Sequence, residues 1–394
     1  MKKECNIQLA SAKQCTGCEA CVSVCPTNSI TMKEDIEGFL QPHIDKDTCI
    51  GCHKCEKTCP IVTPITISTD FGTKAYAAIN KDEAVRMRSS SGGMFHALAK
   101  WTIEQGGVVF GARFNENWEV VHDFTETIDG IEPFMRSKYV QSRIGDTFKQ
   151  AEAFLKEGRQ VLFVGTPCQI GGLKAYLHKE YDKLLAVDFI CHGVPSPGVW
   201  NIYIQEYFKN DELISFNFRD KSEGWISYQC IIESKTKSKT ERKKLLQNDY
   251  FRGFRKEVYL RQSCYECNFR TYHRISDFTI ADFWGVDQKC PSMYDNKGTS
   301  IVFIHTQQAQ GVFQNLSDGL QTKMQSRKDA TWGNPGMDSE HPERSIISRK
   351  LFYAAYHLVS FRCAMRVVDV FCSVKETCVK YIGKFKRKIN KILR

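Results

Sequence analysis

The chain has 394 residues, 42% of them hydrophobic and 25% charged, so it is neither fibrous nor disordered and is long enough for two or three domains. Its net charge of +10 comes from positions 345–394, which contain 12 lysines and arginines and only two acidic residues. The preceding 344 residues hold 43 bases and 43 acids. Because that body is neutral, we expect no nucleic-acid partner.

Cysteine is the unusual residue in this composition. There are 18 cysteines, and nine of them lie at or before Cys59. The first fourteen residues lack the apolar stretch of a secretory signal, so we expect a cytoplasmic protein with reduced thiols. Reduced cysteines at close spacing are typical metal ligands.

The first sixty residues contain a repeated cysteine motif. The run Cys-x2-Cys-x2-Cys-x3-Cys-Pro starts at Cys15 and again 34 residues later at Cys49. In proteins with two 4Fe-4S clusters, three cysteines of each run bind one cluster and the fourth binds the other. Zinc sites are the alternative, although they usually combine two separated Cys-x2-Cys hooks. The crossed pattern predicts one cluster on Cys15, Cys18, Cys21 and Cys59, and a second on Cys49, Cys52, Cys55 and Cys25.

Residues 1–68 therefore form a predicted dicluster ferredoxin-type domain, and from Lys74 strands and helices alternate. This alternation predicts an α/β core within an α+β or α/β multidomain chain, with some parallel strands. The basic stretch Lys235–Lys244 is predicted to be a loop. The predicted elements are a strand at Ala75–Ile79, a helix at Gly93–Glu104, a strand at Val108–Phe114, a helix at Phe148–Lys156, a strand at Val161–Val164, a helix from Gly165 to about Leu177, a strand at Leu184–Ile190, a helix after Pro197, and strands near Ile214–Phe218, Gln229–Glu233, Phe278–Ala281 and Ile301–His305.

A series of short sequence blocks follows between about Lys74 and Gly333. The blocks are Ser89-Ser-Ser-Gly-Gly-Met-Phe95, Ser137-Lys-Tyr-Val-Gln-Ser142, Gly165-Thr-Pro-Cys-Gln-Ile-Gly-Gly-Leu173, Asp188-Phe-Ile-Cys-His-Gly-Val-Pro-Ser196, Phe218-Arg-Asp-Lys-Ser-Glu-Gly-Trp225, Cys264-x2-Cys267 and Ser276-Asp-Phe-Thr-Ile-Ala-Asp-Phe-Trp-Gly285. In this order they resemble the beta-subunit family of coenzyme F420 hydrogenases and dehydrogenases.

The resemblance implies an iron–sulfur flavoprotein oxidoreductase that passes electrons between clusters and a bound FAD or FMN. Coenzyme F420 is then a candidate acceptor, and a ferredoxin or a subunit of a dehydrogenase is the expected redox partner. The family's N-terminal, flavin-binding part is expected at 74–155 and its catalytic part at 156–335, with no catalytic residue assigned. The alternative is a non-catalytic electron-transfer subunit that serves a separate enzyme, for example in surface-polysaccharide biosynthesis.

Two segments are candidates for contact with the flavin. Ser89, Ser90, Ser91, Gly92 and Gly93 precede a predicted helix, whose free N–H groups and dipole favour a phosphate. A plain helix cap with a glycine turn is the alternative there. Thr166 and Pro167 follow the carboxyl end of a strand, the usual ligand position in an open α/β sheet. The resemblance adds Lys138 and Gln141 as flavin contacts.

The resemblance also implies a third 4Fe-4S cluster. Its candidate ligands are Cys168, Cys191, Cys264 and Cys267, and the alternative is that Cys168 and Cys191 are buried as small apolar residues. His192 is either a contact of flavin or cluster or a structural histidine. The remaining cysteines lack ligand spacing and are expected to be structural; they are Cys5, Cys230, Cys290, Cys363, Cys372 and Cys378.

The C-terminal segment 345–394 is a predicted basic helical tail. Apolar residues recur every three or four positions from Val374 to Ile392, with lysines and arginines between them. Such a helix binds the surface of an anionic membrane, here the inner face. Packing of the helix against the body is the alternative. The segment Leu351–Phe361 is too short to span a bilayer.

Overall fold

The computed structural model describes residues 5–67, 69–209, 211–235, 239–244, 247–337 and 346–375. Its helices are α1 (Ala20–Ser23), α2 (Lys54–Thr58), α3 (Glu83–Arg88), α4 (Met94–Glu104), α5 (Thr147–Lys156), α6 (Pro167–Leu177), α7 (Pro197–Phe208), α8 (Asp249–Arg255), α9 (Val286–Lys289), α10 (Gln307–Asn315), α11 (Arg327–Thr331) and α12 (Ile346–Tyr356). Its strands are β1 (Ile30–Glu34), β2 (Leu40–Ile44), β3 (Lys74–Asn80), β4 (Val108–Phe114), β5 (Val120–Thr125), β6 (Val161–Val164), β7 (Leu184–Phe189), β8 (Leu213–Asp220), β9 (Gln229–Ser234), β10 (Lys239–Lys244), β11 (Phe278–Asp282), β12 (Ser300–Ile304) and β13 (Leu320–Gln325).

The cysteine repeat folds as two equivalent halves. Each half has a glycine at positive φ, Gly17 or Gly51, and then a residue in the left-handed region, Glu19 or His53, before the short helix α1 or α2. The antiparallel hairpin β1–β2 lies between the halves in the chain. The sequence repeat is thus also a repeat of backbone conformation.

An eight-stranded mixed sheet forms the centre of the molecule, in the order β13-β3-β12-β11-β7-β6-β4-β5. Its strands β4, β6, β7 and β11 are parallel to their neighbours in this set, and the flanking pairs are antiparallel. The predicted strands Val108–Phe114 and Val161–Val164 agree residue for residue. The chain therefore has the mixed α/β architecture that the alternating pattern predicts.

Both faces of this sheet are buried, because successive side chains of the central strands point to opposite sides. Val109 and Leu162 pack with α4 and α10 on one face. Phe110 and Phe163 pack with α5 and α6 on the other, where Cys18 of the cysteine unit joins the same core. Helix α6 therefore lies between the sheet and the cysteine unit.

The contacts that attach the cysteine unit to the body include a close helix contact, a carboxylate bound to the backbone and an ion pair. A β-carbon on Gly172 of α6 would lie 3.0 Å from Cys18 Sγ, so only glycine permits this approach. The carboxylate of Glu19 accepts hydrogen bonds from the backbone N–H groups of Ile144 and Gly145 at 3.0 and 3.1 Å. Glu37, at the hairpin turn, forms a two-pronged ion pair with Arg349 of α12.

The loop predicted for the basic stretch Lys235–Lys244 is wrong for the second half of that stretch. Residues Lys239–Lys244 form β10, which pairs antiparallel with β9 at the edge of the three-stranded sheet β10-β9-β8. An edge strand tolerates a run of charged residues because one side of it needs no partner strand. Strands β5 and β13 are absent from the sequence prediction, and β13 is mostly exposed, so its sequence lacks an apolar alternation.

The C-terminal part of the described chain is helical and packs on the body. After α12, residues 361–375 are helical, and Phe361, Met365 and Val368 are buried in the core around α7 and α8. The rest of the predicted amphipathic tail, from position 376, lies outside the described residues. Among the described helices, none has the length and apolar character needed to cross a membrane.

Candidate functional site

The structure brings together the two predicted sets of cluster ligands, each around its own cavity. The inner cavity lies within the cysteine unit and is lined by Cys15, Cys18, Cys21 and Cys59. The outer cavity is lined by Cys25, Cys49, Cys52 and Cys55. Each set takes three cysteines from one run and the fourth from the other, as the crossed pattern requires.

These thiols surround cavities instead of converging on a point. In the described part of the chain, no three His, Cys, Asp or Glu side chains form a group that would hold a single metal ion. A 4Fe-4S cluster needs a different arrangement, since each cysteine binds a different iron. Burial raises the pKa of Cys18 to about 12 and that of Cys55 to about 11, so cluster binding is coupled to loss of their protons.

The two cavities differ in their surroundings. Cys18 of the inner set is buried against α6, whereas Cys52 of the outer set is exposed and its neighbour Ile50 is 53% exposed. Cys5, which we expected to be only structural, lies within hydrogen-bond reach of the outer thiol Cys49. Because Cys5 lies outside both cysteine runs, its spacing in the sequence does not predict this contact.

The four candidate ligands of a third cluster also lie together. Cys168 is near the start of α6, shortly after β6, and Cys191 follows β7. Because β6 and β7 are adjacent parallel strands, their carboxyl ends lie side by side, and both thiols lie at that end of the sheet. Burial raises the pKa of Cys191 to about 12, and the nearby Cys264 and Cys267 thiols contribute to this rise. Burial and the thiols of the other three cysteines raise the pKa of Cys168. The structure thus supports a four-thiol group.

Helix α6 connects this third group with the inner cavity. Cys168 lies in its first turn and Gly172, in contact with Cys18, lies one turn later. Four residues of α-helix rise about 6 Å, so Cys168 and the position that contacts Cys18 are about one helical turn apart along α6. Thr166 and Pro167 begin this helix: Thr166 forms a capping box with Gln169, and its hydroxyl lies 3.1 Å from Cys168 Sγ.

Gln141, a predicted flavin contact, lies instead beside the inner cysteine loop. Its side-chain nitrogen donates to the carbonyl oxygen of Thr16 at 2.9 Å, and its side-chain oxygen accepts from Arg261 at 3.0 Å. Its role as a flavin contact stays a prediction.

Residues Ser89–Gly93 form that serine-rich loop between α3 and α4. The Ser90 hydroxyl lies 3.0 Å from that of Ser137, and the Gly92 N–H donates to Ser300. Gly93 adopts φ +88° at the start of α4, an 11-residue helix. Lys138 lies near the loop, but its Nζ donates to the carbonyl oxygens of Pro133 and Met135 at 2.7 and 2.5 Å.

Two buried cations beneath this loop have no role assigned from the sequence. Arg219 donates to the Ser90 carbonyl oxygen at 3.2 Å and pairs with both oxygens of Asp282. The Lys221 Nζ donates to the Ser91 carbonyl oxygen at 2.8 Å, and burial lowers its pKa to about 7. Both lie in the sequence block Phe218–Trp225, which is the sequence feature that points to them.

His192 has the geometry of the structural alternative. Its Nε2 lies 2.9 Å from the carboxylate of Glu257, and its ring packs edge-on against Phe254. The other cysteines are Cys230 and Cys290, which are buried in the core, Cys372, which is partly buried, Cys363, which is exposed, and Cys378, which lies outside the described residues.

Two family models match this chain. Residues 158–329 match the C-terminal region of the beta subunit of coenzyme F420 hydrogenase/dehydrogenase, and residues 14–62 match the 4Fe-4S dicluster domain. A chain of the F420-reducing [NiFe] hydrogenase complex from Methanosarcina barkeri aligns over 77% of this chain and 92% of its own length, with 15% identity and a TM-score of 0.43.

Two curated relatives extend this comparison. One subunit of the F(420)H(2) dehydrogenase of Methanosarcina mazei is 26% identical over 45% of this chain and 53% of its own length. The coenzyme F420-dependent sulfite reductase of Methanocaldococcus jannaschii is 26% identical over 77% of this chain and 46% of its own length. The chain thus spans about half the length of these relatives. It combines a region that matches the 4Fe-4S dicluster domain with a region that is similar to the C terminus of the beta subunit of coenzyme F420 hydrogenase/dehydrogenase, and it is related to oxidoreductase subunits.

Proposed function

We propose that this chain is an iron–sulfur flavoprotein oxidoreductase with three 4Fe-4S clusters and one flavin, FAD or FMN. The observation that carries the proposal is the succession of three four-cysteine groups: one partly exposed, one buried against α6, and one at the start of α6. Clusters held there would supply one-electron transfer, and a flavin would couple it to two-electron chemistry. Coenzyme F420 is one candidate acceptor.

A redox partner is proposed to bind at the outer cysteine group. Cys52 is exposed there, and Ile50 beside it is an exposed apolar residue, whereas the body covers the inner group. A ferredoxin or a subunit of a dehydrogenase is the class of partner that delivers single electrons to such a surface. The neutral charge of residues 1–344 is consistent with protein recognition and gives no support to nucleic-acid binding.

The flavin is proposed to bind at the serine-rich loop and the start of α4. That helix start presents N–H groups and the positive end of a helix dipole, which attract a phosphate. Arg219 and Lys221 stabilise the loop by donating hydrogen bonds to the carbonyl oxygens of Ser90 and Ser91. Both cations thus fix the loop conformation on which the N–H groups depend.

An acidic substitution in this loop is expected to remove the flavin and leave the iron. Anaerobically purified wild-type protein is expected to contain about twelve irons, about twelve sulfides and about one flavin per chain. In Ser90→Asp, the new carboxylate would repel a phosphate, so we expect at least a several-fold lower flavin content with unchanged iron. Ser317→Asp, an exposed change after α10, is the matched control. Normal flavin content in Ser90→Asp contradicts binding at this loop.

The C-terminal segment is proposed to contact an anionic membrane surface. In the helix over 361–375, the face opposite the buried one carries Val367, Val370 and Val374, which are 43%, 65% and 56% exposed. The sequence from Lys375 onward has a net charge of +7, and each base near an anionic surface contributes ~1 kcal/mol. An apolar stripe followed by bases suits the boundary of such a membrane.

Deletion of residues 375–394 is therefore expected to abolish most sedimentation with phosphatidylserine vesicles at low salt. Binding of the full chain should also fall as salt increases, since the attraction is electrostatic. Phosphatidylcholine vesicles are the control and should sediment neither protein. Equal sedimentation of full and truncated chains with the anionic vesicles would disprove the membrane role.

A further inference from the structure

Arg261 is a buried arginine at the junction of the inner cysteine group, the β1–β2 hairpin and the body. Its side chain donates to the carbonyl oxygen of Cys15 at 2.7 Å and approaches the Cys15 sulfur to 3.6 Å. It also donates to the carbonyl oxygen of Leu40 at 2.9 Å and to the side chain of Gln41 at 3.0 Å. With the bond to Gln141, all three guanidinium nitrogens are fixed in place.

The surroundings of Arg261 make its charge effective at short range. The residue is 1% exposed, so water screens its charge far less than that of a surface arginine. A β-carbon on Gly17 would lie 2.6 Å from its Nη1, which shows how closely the guanidinium approaches the cysteine loop. Glu19 also lines the inner cavity, but its carboxylate accepts hydrogen bonds from the backbone N–H groups of Ile144 and Gly145 in the body.

Among the described residues, no arginine or lysine donates a hydrogen bond to a thiol of the outer cysteine group as Arg261 does to Cys15; the Cys25 sulfur instead has the Thr27 hydroxyl as its partner. Lys54 is the one charged residue among the described residues that line the outer cavity, and its side chain is exposed to solvent. The two halves of the repeat therefore share cysteine spacing and backbone conformation, but they differ in buried charge. This difference is not visible in the repeat, because Arg261 lies more than 200 residues away in the chain.

A buried positive charge and an N–H···S contact change the energy of adding an electron to an adjacent cluster. Reduction adds one negative charge, so a fixed cation beside the ligands stabilises the reduced form more than the oxidised form. Net charge and hydrogen bonds to the sulfurs are among the factors that set cluster potentials. Arg261 supplies both at Cys15.

We propose that Arg261 raises the reduction potential of the cluster held by the inner cysteine group. The proposal rests on the assignment of clusters to the cysteine groups under the proposed function. Arg261 acts as a positioning and electrostatic residue, and it also precedes Cys264 of the third group by three positions. Of the two clusters in the repeat, the electron is thus favoured on the one whose ligand Cys18 packs against α6.

The test is a potentiometric titration of anaerobic full-length protein, followed by EPR. The inner cluster is identified as the signal that is lost in Cys18→Ala and retained in Cys52→Ala. In Arg261→Gln, we expect its midpoint to fall by at least about 59 mV, which is a tenfold lower equilibrium constant for one-electron reduction. Arg261→Lys keeps the positive charge but loses the planar set of guanidinium N–H donors, so the midpoint potential should fall by less than in Arg261→Gln.

Arg159→Gln is the matched control. Arg159 lies before the start of β6, whereas Cys168 lies after the end of that strand, so this arginine is at the far end of β6 from the third cysteine group. This control variant should leave the midpoint unchanged. An unchanged midpoint in Arg261→Gln overturns the proposal. If that variant loses the cluster, Arg261→Lys decides: a lower midpoint supports the proposal and an unchanged one overturns it. Cluster loss in both variants assigns Arg261 to assembly and also overturns it. Absence of the inner signal from wild-type protein contradicts the proposed function instead.

Discussion

Replacing Cys264 with alanine is expected to remove about four irons per chain and to leave about eight, because a cluster of four irons requires all four thiol ligands for stable binding. Cys264 lies with Cys168, Cys191 and Cys267 in one group, and Cys168 and Cys191 are both half-buried. Iron and sulfide per chain, measured after anaerobic purification, check this expectation.

The matched control for this experiment is Cys363→Ala, which changes an exposed cysteine on the helix over 361–375. It should retain all the iron of the wild-type protein. Flavin content should also be followed, because loss of the third cluster alone leaves the serine-rich loop intact. If Cys264→Ala keeps all the iron of a wild-type protein with about twelve irons, Cys264 is not a cluster ligand. If the wild-type protein itself contains only about eight irons, the third cluster does not exist.

The second large effect is expected from adding one methyl group to Gly172. The new β-carbon of Gly172→Ala would lie 2.9 Å from Cys18 Cβ and 3.0 Å from its sulfur, so α6 or the cysteine loop must move. Such overpacking costs about 1–3 kcal/mol. Because Cys18 is a proposed ligand of the inner cluster, we expect this cluster to be lost at a lower urea concentration than in the wild-type protein.

Gly311 offers a control with the same chemical change. It lies in the interior of α10, where an added β-carbon would meet nothing within 4 Å. Gly311→Ala is therefore expected to stabilise the chain by about 0.4–1 kcal/mol, since alanine restricts the unfolded backbone more than glycine does. Urea titrations followed by visible absorbance and circular dichroism measure both effects. Identical cluster loss in the two variants would show that Gly172 is not a contact for the inner group.

The predictions from sequence were most accurate where a local pattern determines the structure. Both ends of the strands Val108–Phe114 and Val161–Val164 agree with the prediction, because buried parallel strands are short apolar runs. The capping residues Thr166 and Ser196, each followed by proline, mark the starts of α6 and α7. The edge strand β10 was missed because its pairing with β9, and not an apolar alternation, defines it.

The candidate site divides in the same way. Gln141 was assigned to the flavin by resemblance, and in the structure one end of its amide contacts Thr16 of the inner cysteine loop while the other contacts Arg261. Arg219 and Lys221 received no role, although they hold the serine-rich loop. A sequence shows the type of a polar residue, but which carbonyl or carboxylate completes its hydrogen bonds depends on segments far away in the chain.

The sequence by itself determined the crossed cysteine pattern, the charge of the tail and the alternating elements of the core, since each depends on residue types at short spacing. Only the tertiary structure decided that Gly172 of α6 contacts Cys18, that four scattered cysteines form one group, and that Arg261 distinguishes the inner half of the repeat from the outer half. These features depend on packing between residues far apart in the chain. Close packing and burial, which make charges and single methyl groups matter, exist only after the chain has folded.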